Sequence, residues 1–279
     1  MSTQIPVAFV EQYKANVLML AQQKGSKLRG TVRTEMVTGK NAFFERIGAV
    51  DMSDAVSRHD DTPQLDTPHS RRRVSLVTSR WADLIDMADQ VRMLIDPTSP
   101  YATNAAWSAG RRIDKHIVDA MFGNAFAGEA GGTTVALPSA QKIASASAGL
   151  TIAKLLAARE ILGAADQDMD NLTAAINPAG LTDLLSTTQI TSSDYNTVKA
   201  LVAGQIDTFL GMKFIVTTQM TAGKAGIYTK NAMALAIGSD PRVRISERDD
   251  KNYSTQVFIQ MDIGATRVED SGVIEVSYV

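Results

Sequence analysis

Three aspartates alternate in DQDMDN, residues 166–171, the spacing with which calcium loops present oxygen ligands to a hard cation. An EF-hand loop also needs glycine at its sixth position and glutamate at its twelfth. Counted from Asp166, those positions hold Asn171 and Asn177. The calcium reading fails on both, and the stretch reads as a solvated loop between a helix and a strand. The three histidines, His59, His69 and His116, form no HxH or HExxH pattern. His59 and His69 flank Asp60, Asp61 and Asp66, but a flexible loop does not hold ligands in fixed geometry, so surface solvation is the better reading. His116 stands among charged residues and reads as exposed or interfacial.

The remaining chemical signatures are missing. There is no GxGxxG fingerprint, Walker A sequence or GxSxG elbow, and GKAG at 223–226 has a Gly-Lys pair without the preceding glycine. No catalytic, cofactor-binding or metal-ligating residue is assigned, no cofactor is expected, and an enzyme is disfavoured. SRRRVS at 70–75 has the makings of a kinase target or a phosphate clamp. Three consecutive arginines close to several aspartates are more economically a polar patch that meets opposite charge on a neighbouring molecule.

These residues belong to a 279-residue chain with 44% hydrophobic and 21% charged residues, the composition of a folded globular protein. A formal charge of −2 argues against a broad cationic surface for nucleic acid. Cysteine is absent, which excludes disulfides and thiolate ligands and fits a reducing compartment. Neither a secretory signal nor an apolar run long enough to span a membrane is present, so a soluble product is expected.

The elements that must position the polar patches follow from periodicity. Val10, Tyr13, Val17 and Leu20 recur at helical spacing, with Gly25 as the stop and no local partner for the stripe. Residues 42–50 and 73–77 read as strands joined through HDDTPQLDTPHSRRRVSL, residues 59–76, whose Pro63 and Pro68 favour extended backbone. The geometry expected is a long two-stranded ribbon with a charged tip, stabilised by lying on something else. From Pro100 to about Phe122 a helix of roughly 35 Å is expected at 1.5 Å per residue. Ser99 would cap it, and Ala106, Gly110, Ile113, Ile117 and Met121 would line its buried stripe.

The Gly-rich stretch 123–134 reads as a boundary. Beyond it come a helix at 151–162, a strand at 172–176, an Asn177-Pro178 turn, helices at 180–186 and 193–204, a break at Gly211 and a strand at 212–217. Long extended segments close the chain. In one of them Val257, Ile259, Met261 and Ile263 alternate as one buried sheet face requires.

This order of parts, with the segments 192–220 (SSDYNTVKALVAGQIDTFLGMKFIVTTQM), 228–238 (YTKNAMALAIG) and 262–276 (DIGATRVEDSGVIEV), resembles the major capsid proteins of tailed bacteriophages. The resemblance covers nearly the whole chain through diffuse motifs. It implies an α+β fold with an N-terminal arm (1–35), an extended β-ribbon loop (36–82), a peripheral domain with a long spine helix (83–134), an axial domain (135–239) and return strands to the peripheral domain (240–279). It implies a structural shell protein that self-assembles through pentamers and hexamers into an icosahedral head enclosing DNA. Its partners would be many copies of itself, a separate scaffolding protein, a portal and non-specifically contacted double-stranded DNA, with no membrane. Its location would be the virion, after assembly in the host cytoplasm.

Intersubunit contacts are expected from Val10, Tyr13 and Val17 of the arm and from Asp60, Asp61, Asp66, Arg71, Arg72 and Arg73 of the ribbon. Family members that crosslink covalently join a Lys to an Asn. Lys40 has no matched Asn, so that chemistry is not carried over. A cargo-holding nanocompartment shell of the same fold and an oligomeric enzyme are the competing readings.

Overall fold

The computed structural model describes residues 22–54, 57–58, 61–62, 64–86, 98–186 and 208–279. The arm residues Val10, Tyr13 and Val17, Asp60 of the ribbon, and the helix expected at 193–204 lie outside the described residues. In chain order the elements are β1 (Arg33–Met36), β2 (Asn41–Ile47), β3 (His69–Ser75), β4 (Val77–Ile85), α1 (Thr98–Phe122), β5 (Ala125–Ala127), β6 (Thr133–Val135) and β7 (Lys142–Ile143). They continue with α2 (Ile152–Ala164), β8 (Leu172–Ile176), α3 (Pro178–Ser186), β9 (Thr208–Phe209), β10 (Met212–Val216), β11 (Lys224–Thr229), β12 (Met233–Arg248), β13 (Ser254–Arg267) and β14 (Val273–Ser277).

The described chain divides into two compact units. The larger holds residues 27–77, 113–238 and 263–279, and the smaller holds the described parts of 1–26, 78–112 and 239–262.

The larger unit contains a six-stranded mixed sheet in the order β7-β14-β11-β8-β10-β9. LTAAI of β8 is buried at all five positions, as a continuous apolar run requires when both faces of a strand are covered. It pairs in parallel with β10 and antiparallel with β11. Leu155, Ala158 and Leu162 of α2 and Leu184 of α3 join Ile176, Ile227 and Ile274 in one core. Thr151 caps α2 by accepting from Lys154 N, and Asn177 Oδ1 accepts from Gly180 N at 2.7 Å. The expected Asn177-Pro178 turn is therefore the start of α3.

One expectation is corrected in this unit. Within the segment 240–279, expected as return strands to the peripheral domain, the last strand, β14, sits between β7 and β11 in the six-stranded sheet. β14 is buried along Val273–Val276, and only a central place in a covered sheet removes both of its faces from water. The Gly-rich stretch 123–134 is no bare boundary: it folds as the β5–β6 hairpin and extends the ribbon sheet to the order β2-β3-β5-β6.

The smaller unit contains the N-terminal part of α1, β4 and the outer parts of β12 and β13. Val257, Ile259 and Met261 are buried as their alternation predicts, and so is Ile263 in the larger unit. The 25 residues of α1 follow the expected strut with a shifted stripe. Ala105, Ala109, Ile113, Ile117, Val118 and Met121 are buried, whereas Ala106 is exposed. Among them lies Asp114, 0% exposed.

Candidate functional site at the root of the ribbon

Strand alternation sends alternate side chains to opposite faces, and RRR in the middle of β3 is split by that rule. β2 and β3 pair antiparallel from Asn41↔Ser75 to Ile47↔His69. Phe44 and Val74 face inward and pack with Ala234, Ala236 and Val268.

Arg72 shares that inner face and is 3% exposed. Its Nη2 donates to Asp270 Oδ2 at 2.5 Å, and its Nε donates to Val268 O at 3.4 Å. Burial pulls the Arg72 guanidinium below its ordinary value, with Asp270 opposing and Arg46 and Arg267 adding to the fall. The other Asp270 oxygen accepts from Arg267 Nε at 2.5 Å.

Arg267 is 0% exposed, and its remaining nitrogens are also engaged. Nη1 donates to Met121 O and Gly123 O at 3.1 and 2.8 Å, and Nη2 to Val135 O at 3.1 Å. A buried cation needs this degree of satisfaction, and carbonyls at a helix C-terminus favour one. One Arg–Asp–Arg bridge thus ties the ribbon to the end of α1, to β6 and to the turn after β13.

Arg71 and Arg73 lie on the outer face. Arg71 pairs with Glu45 at 3.4 Å and stacks 5.5 Å from the Phe43 ring centroid. Arg73 stacks 5.1 Å from Phe126, and its stem runs over Gly131, where an added Cβ would lie 2.5 Å from Arg73 Cβ and φ is +68°. An open cavity of ≈ 440 Å³ adjoins this face, lined by Glu45, His69, Ser70, Arg71, Gly128 and Glu129. The arginine patch expected to meet a neighbour is corrected at Arg72, whose charge is matched inside its own chain. Its half-buried outer members, Arg71 and Arg73, also find partners locally.

Beyond the root, Gly48 N donates to Pro68 O at 2.9 Å and closes the ribbon. Every described residue from 48 to 68, Asp61 and Asp66 included, is exposed.

A second joint holds the segment after the arm. Asp114 accepts from Lys27 N and Leu28 N, both at 3.0 Å. One helical turn earlier, Gly110 lets Gly25 and Ser26 cross α1; a Cβ there would lie 2.3 Å from Gly25 C. Arg111 Nη1 donates to Gln22 Oε1 at 2.7 Å, and Lys24 stacks over Trp107. Thr31 Oγ1 meets the buried Tyr228 hydroxyl at 2.6 Å, and burial pushes that phenol up from its ordinary value. The polar link after Gly25 is therefore strapped to the helix.

Asp270, Arg267 and Asp114 were missed as functional positions. A carboxylate four residues after Gly110 within an apolar stripe was the available signal for Asp114. Nothing local distinguishes Asp270 from an ordinary turn acid. The DQDMDN loop has its own explanation: Asp168 accepts from Asp170 N at 3.0 Å and from Asn171 Nδ2 at 2.9 Å, which makes it a self-capped turn. His69 is exposed on β3, and His116 is half-buried. Among the described residues, no group of three or more His, Asp or Glu is placed to hold a metal ion.

An arm rooted in buried charge and a strap across a long helix are joints of a structural protein, and the comparisons agree. The sequence model of the phage capsid protein family matches residues 5–279, and the chain belongs to that family. The fold is that of solved phage capsids. The capsid of cyanophage P-SCSP1u is 15% identical with a TM-score of 0.74, covering 97% of this chain and 93% of that one. The capsid of Ralstonia phage GP4 is 12% identical with a TM-score of 0.74, covering 100% and 98%. Mycobacterium phage Che8 gives 15%, 0.72, 96% and 97%. No curated protein matches the chain. The protein is a shell-forming major capsid protein, with further copies of itself as partners and the virion capsid as its place. The nanocompartment reading is not favoured.

Proposed function

We propose that this subunit assembles through pentamers and hexamers into an icosahedral head enclosing double-stranded DNA, and that the ribbon is the arm with which each copy holds its neighbour. The observation that carries this reading is the contrast along the ribbon: a root fixed by buried charge and a tip with Val50, Met52 and Leu65 exposed. A monomer gains nothing from ordering such an arm, whereas a shell built on many weak repeated contacts does. Residues 1–35 serve as arm, 36–82 as extended loop, 83–134 as peripheral domain and 135–239 as axial domain.

A separate scaffolding protein and a portal take part in assembly, which proceeds in the host cytoplasm. DNA is contacted without sequence preference, since a near-neutral wall does not hold packaged phosphates tightly. The chain performs no catalysis.

Electron microscopy of the purified protein tests the reading: closed shells, pentamers or hexamers are expected, and a small uniform compact oligomer would overturn it. Replacing residues 54–70 by a short Gly-containing turn is expected to leave a folded, soluble subunit that forms no stable shells. Deleting residues 1–24 is expected to impair assembly more than folding.

A further inference from the structure

The ammonium of Lys154, in the first turn of α2, is surrounded by main-chain oxygen. Its Nζ donates to Ser145 O at 2.8 Å, Ala148 O at 2.8 Å, Gly149 O at 3.0 Å and Ser277 O at 3.1 Å. Three of these carbonyls come from the loop between β7 and α2, and the fourth comes from the end of β14. An ammonium has only three hydrogens to donate. Four oxygens at nearly one radius exceed what a lysine tip requires and match the coordination of a spherical ion.

The loop is built to aim them. Ala146 and Ser147 stand in left-handed backbone, with φ of 45° and 53°, which residues other than glycine seldom adopt and which persists only where surrounding contacts fix it. Ala148 N donates to Ser145 O at 2.9 Å and closes the turn. Leu150 N donates to Asp183 Oδ2 at 3.3 Å and holds the end of the loop to α3.

The chemistry of the ligands decides the class of ion. Calcium and magnesium sites on proteins rely on carboxylates, whereas neutral carbonyls replace the hydration shell of potassium. Potassium and ammonium ions are of nearly equal size. We infer that the carbonyls of Ser145, Ala148, Gly149 and Ser277 form a cage for a monovalent cation of the potassium and ammonium class, and that Lys154 fills it as a tethered ion. The filled cage closes one edge of the six-stranded sheet. β7 pairs with β14 over Lys142 and Ile143 alone, and the ammonium draws the loop after β7 onto Ser277, beside which Val279 N donates to Ala148 O at 3.3 Å. The inference concerns the single subunit and is independent of how copies of the chain assemble.

Emptying the cage in the full-length chain tests it. Lys154→Ala removes the tethered ion and leaves room for a free one, whereas Lys154→Met keeps the bulk and removes the charge. Both are expected to melt about 5–10 °C below the parent chain in choline chloride. Potassium or ammonium chloride at equal ionic strength is expected to return most of that loss to Lys154→Ala, beyond any shift in the parent chain, and lithium chloride is not. Lys154→Met should gain nothing from either salt. Equal melting of Lys154→Ala in potassium, lithium and choline salts overturns the inference, and so does a Lys154→Ala chain that is unfolded in all three.

Hydrogen exchange read by mass spectrometry tests the closure separately. Peptides covering 142–150 and 273–279 are expected to exchange at least about tenfold faster in Lys154→Met than in the parent chain, with the β8 peptide unchanged. Unchanged protection of both peptides overturns the assignment of Lys154 as the ion that closes this edge.

Discussion

Arg72 and Asp270 stand 198 residues apart in sequence and meet at 2.5 Å beneath the ribbon. Asp270 is also the counter-charge of Arg267, so one carboxylate compensates two guanidiniums that are 3% and 0% exposed. Removing it strands both. Asp270→Ala is expected to lower unfolding stability by about 3–5 kcal/mol, the cost of leaving buried charge uncompensated. The exposed Lys115–Asp119 pair, broken by Asp119→Ala, should cost only about 0.5 kcal/mol. Urea denaturation of both variants measures the difference, and equal losses would refute a special role for the bridge.

The strap across α1 depends on a missing side chain and a buried acid. Gly110→Ala places a methyl group against the backbone of Gly25 and Ser26, and Asp114→Ala removes the acceptor for two amides. Each is expected to cost about 1–3 kcal/mol. Each should also speed tryptic cleavage at Lys24, Lys27 and Arg29, read by mass spectrometry. Unchanged cleavage at those sites would show that the strap is held by other contacts.

Gly226 of β11 admits the side chain of Met121: a Cβ there would fall 2.0 Å from Sδ. Gly226→Ala is expected to destabilise by about 1–3 kcal/mol through overpacking. Combined with Met121→Ala, which alone opens a cavity, it should cost clearly less than the sum of the single changes. Strict additivity in the thermal melts of the four chains would contradict this contact.

The hydrogen bonds from Arg248 to both oxygens of Asp250 hold that carboxyl down to about 2, from an ordinary 3.8. Because the folded value is the lower one, the pair's contribution is complete above 3.8 and is lost as pH falls through about 2. Carbon-detected NMR should find the Asp250 midpoint near 2 and its return toward the ordinary value in Arg248→Ala. An unmoved midpoint would mean that the arginine is not the cause.

Residues 172–176 read as a strand, 100–122 as a long helix and 257–263 as a one-sided strand from the sequence alone, and the described structure contains all three. Local spacing is legible because it reports a period, and a period is set by backbone geometry within a few residues. The stripe on α1 was misplaced by one position, at Ala106 in place of Ala105. Its apolar, glycine and acidic members all serve packing, and hydropathy alone does not say which of two neighbouring alanines faces in.

Composition and spacing by themselves determined that this chain folds, that a polar ribbon interrupts it, and that the motifs of the common enzymes are missing. Tertiary structure decided which of three consecutive arginines is buried, that Asp270 and Asp114 are the acids that matter, that 123–134 completes the ribbon sheet, and that the last strand enters the middle of another. The physical reason is range. The partners of Arg72, Leu28 and Arg267 lie 198, 86 and 146 residues away, and the energy of such contacts depends on two surfaces brought together by folding, which no local pattern in either stretch records.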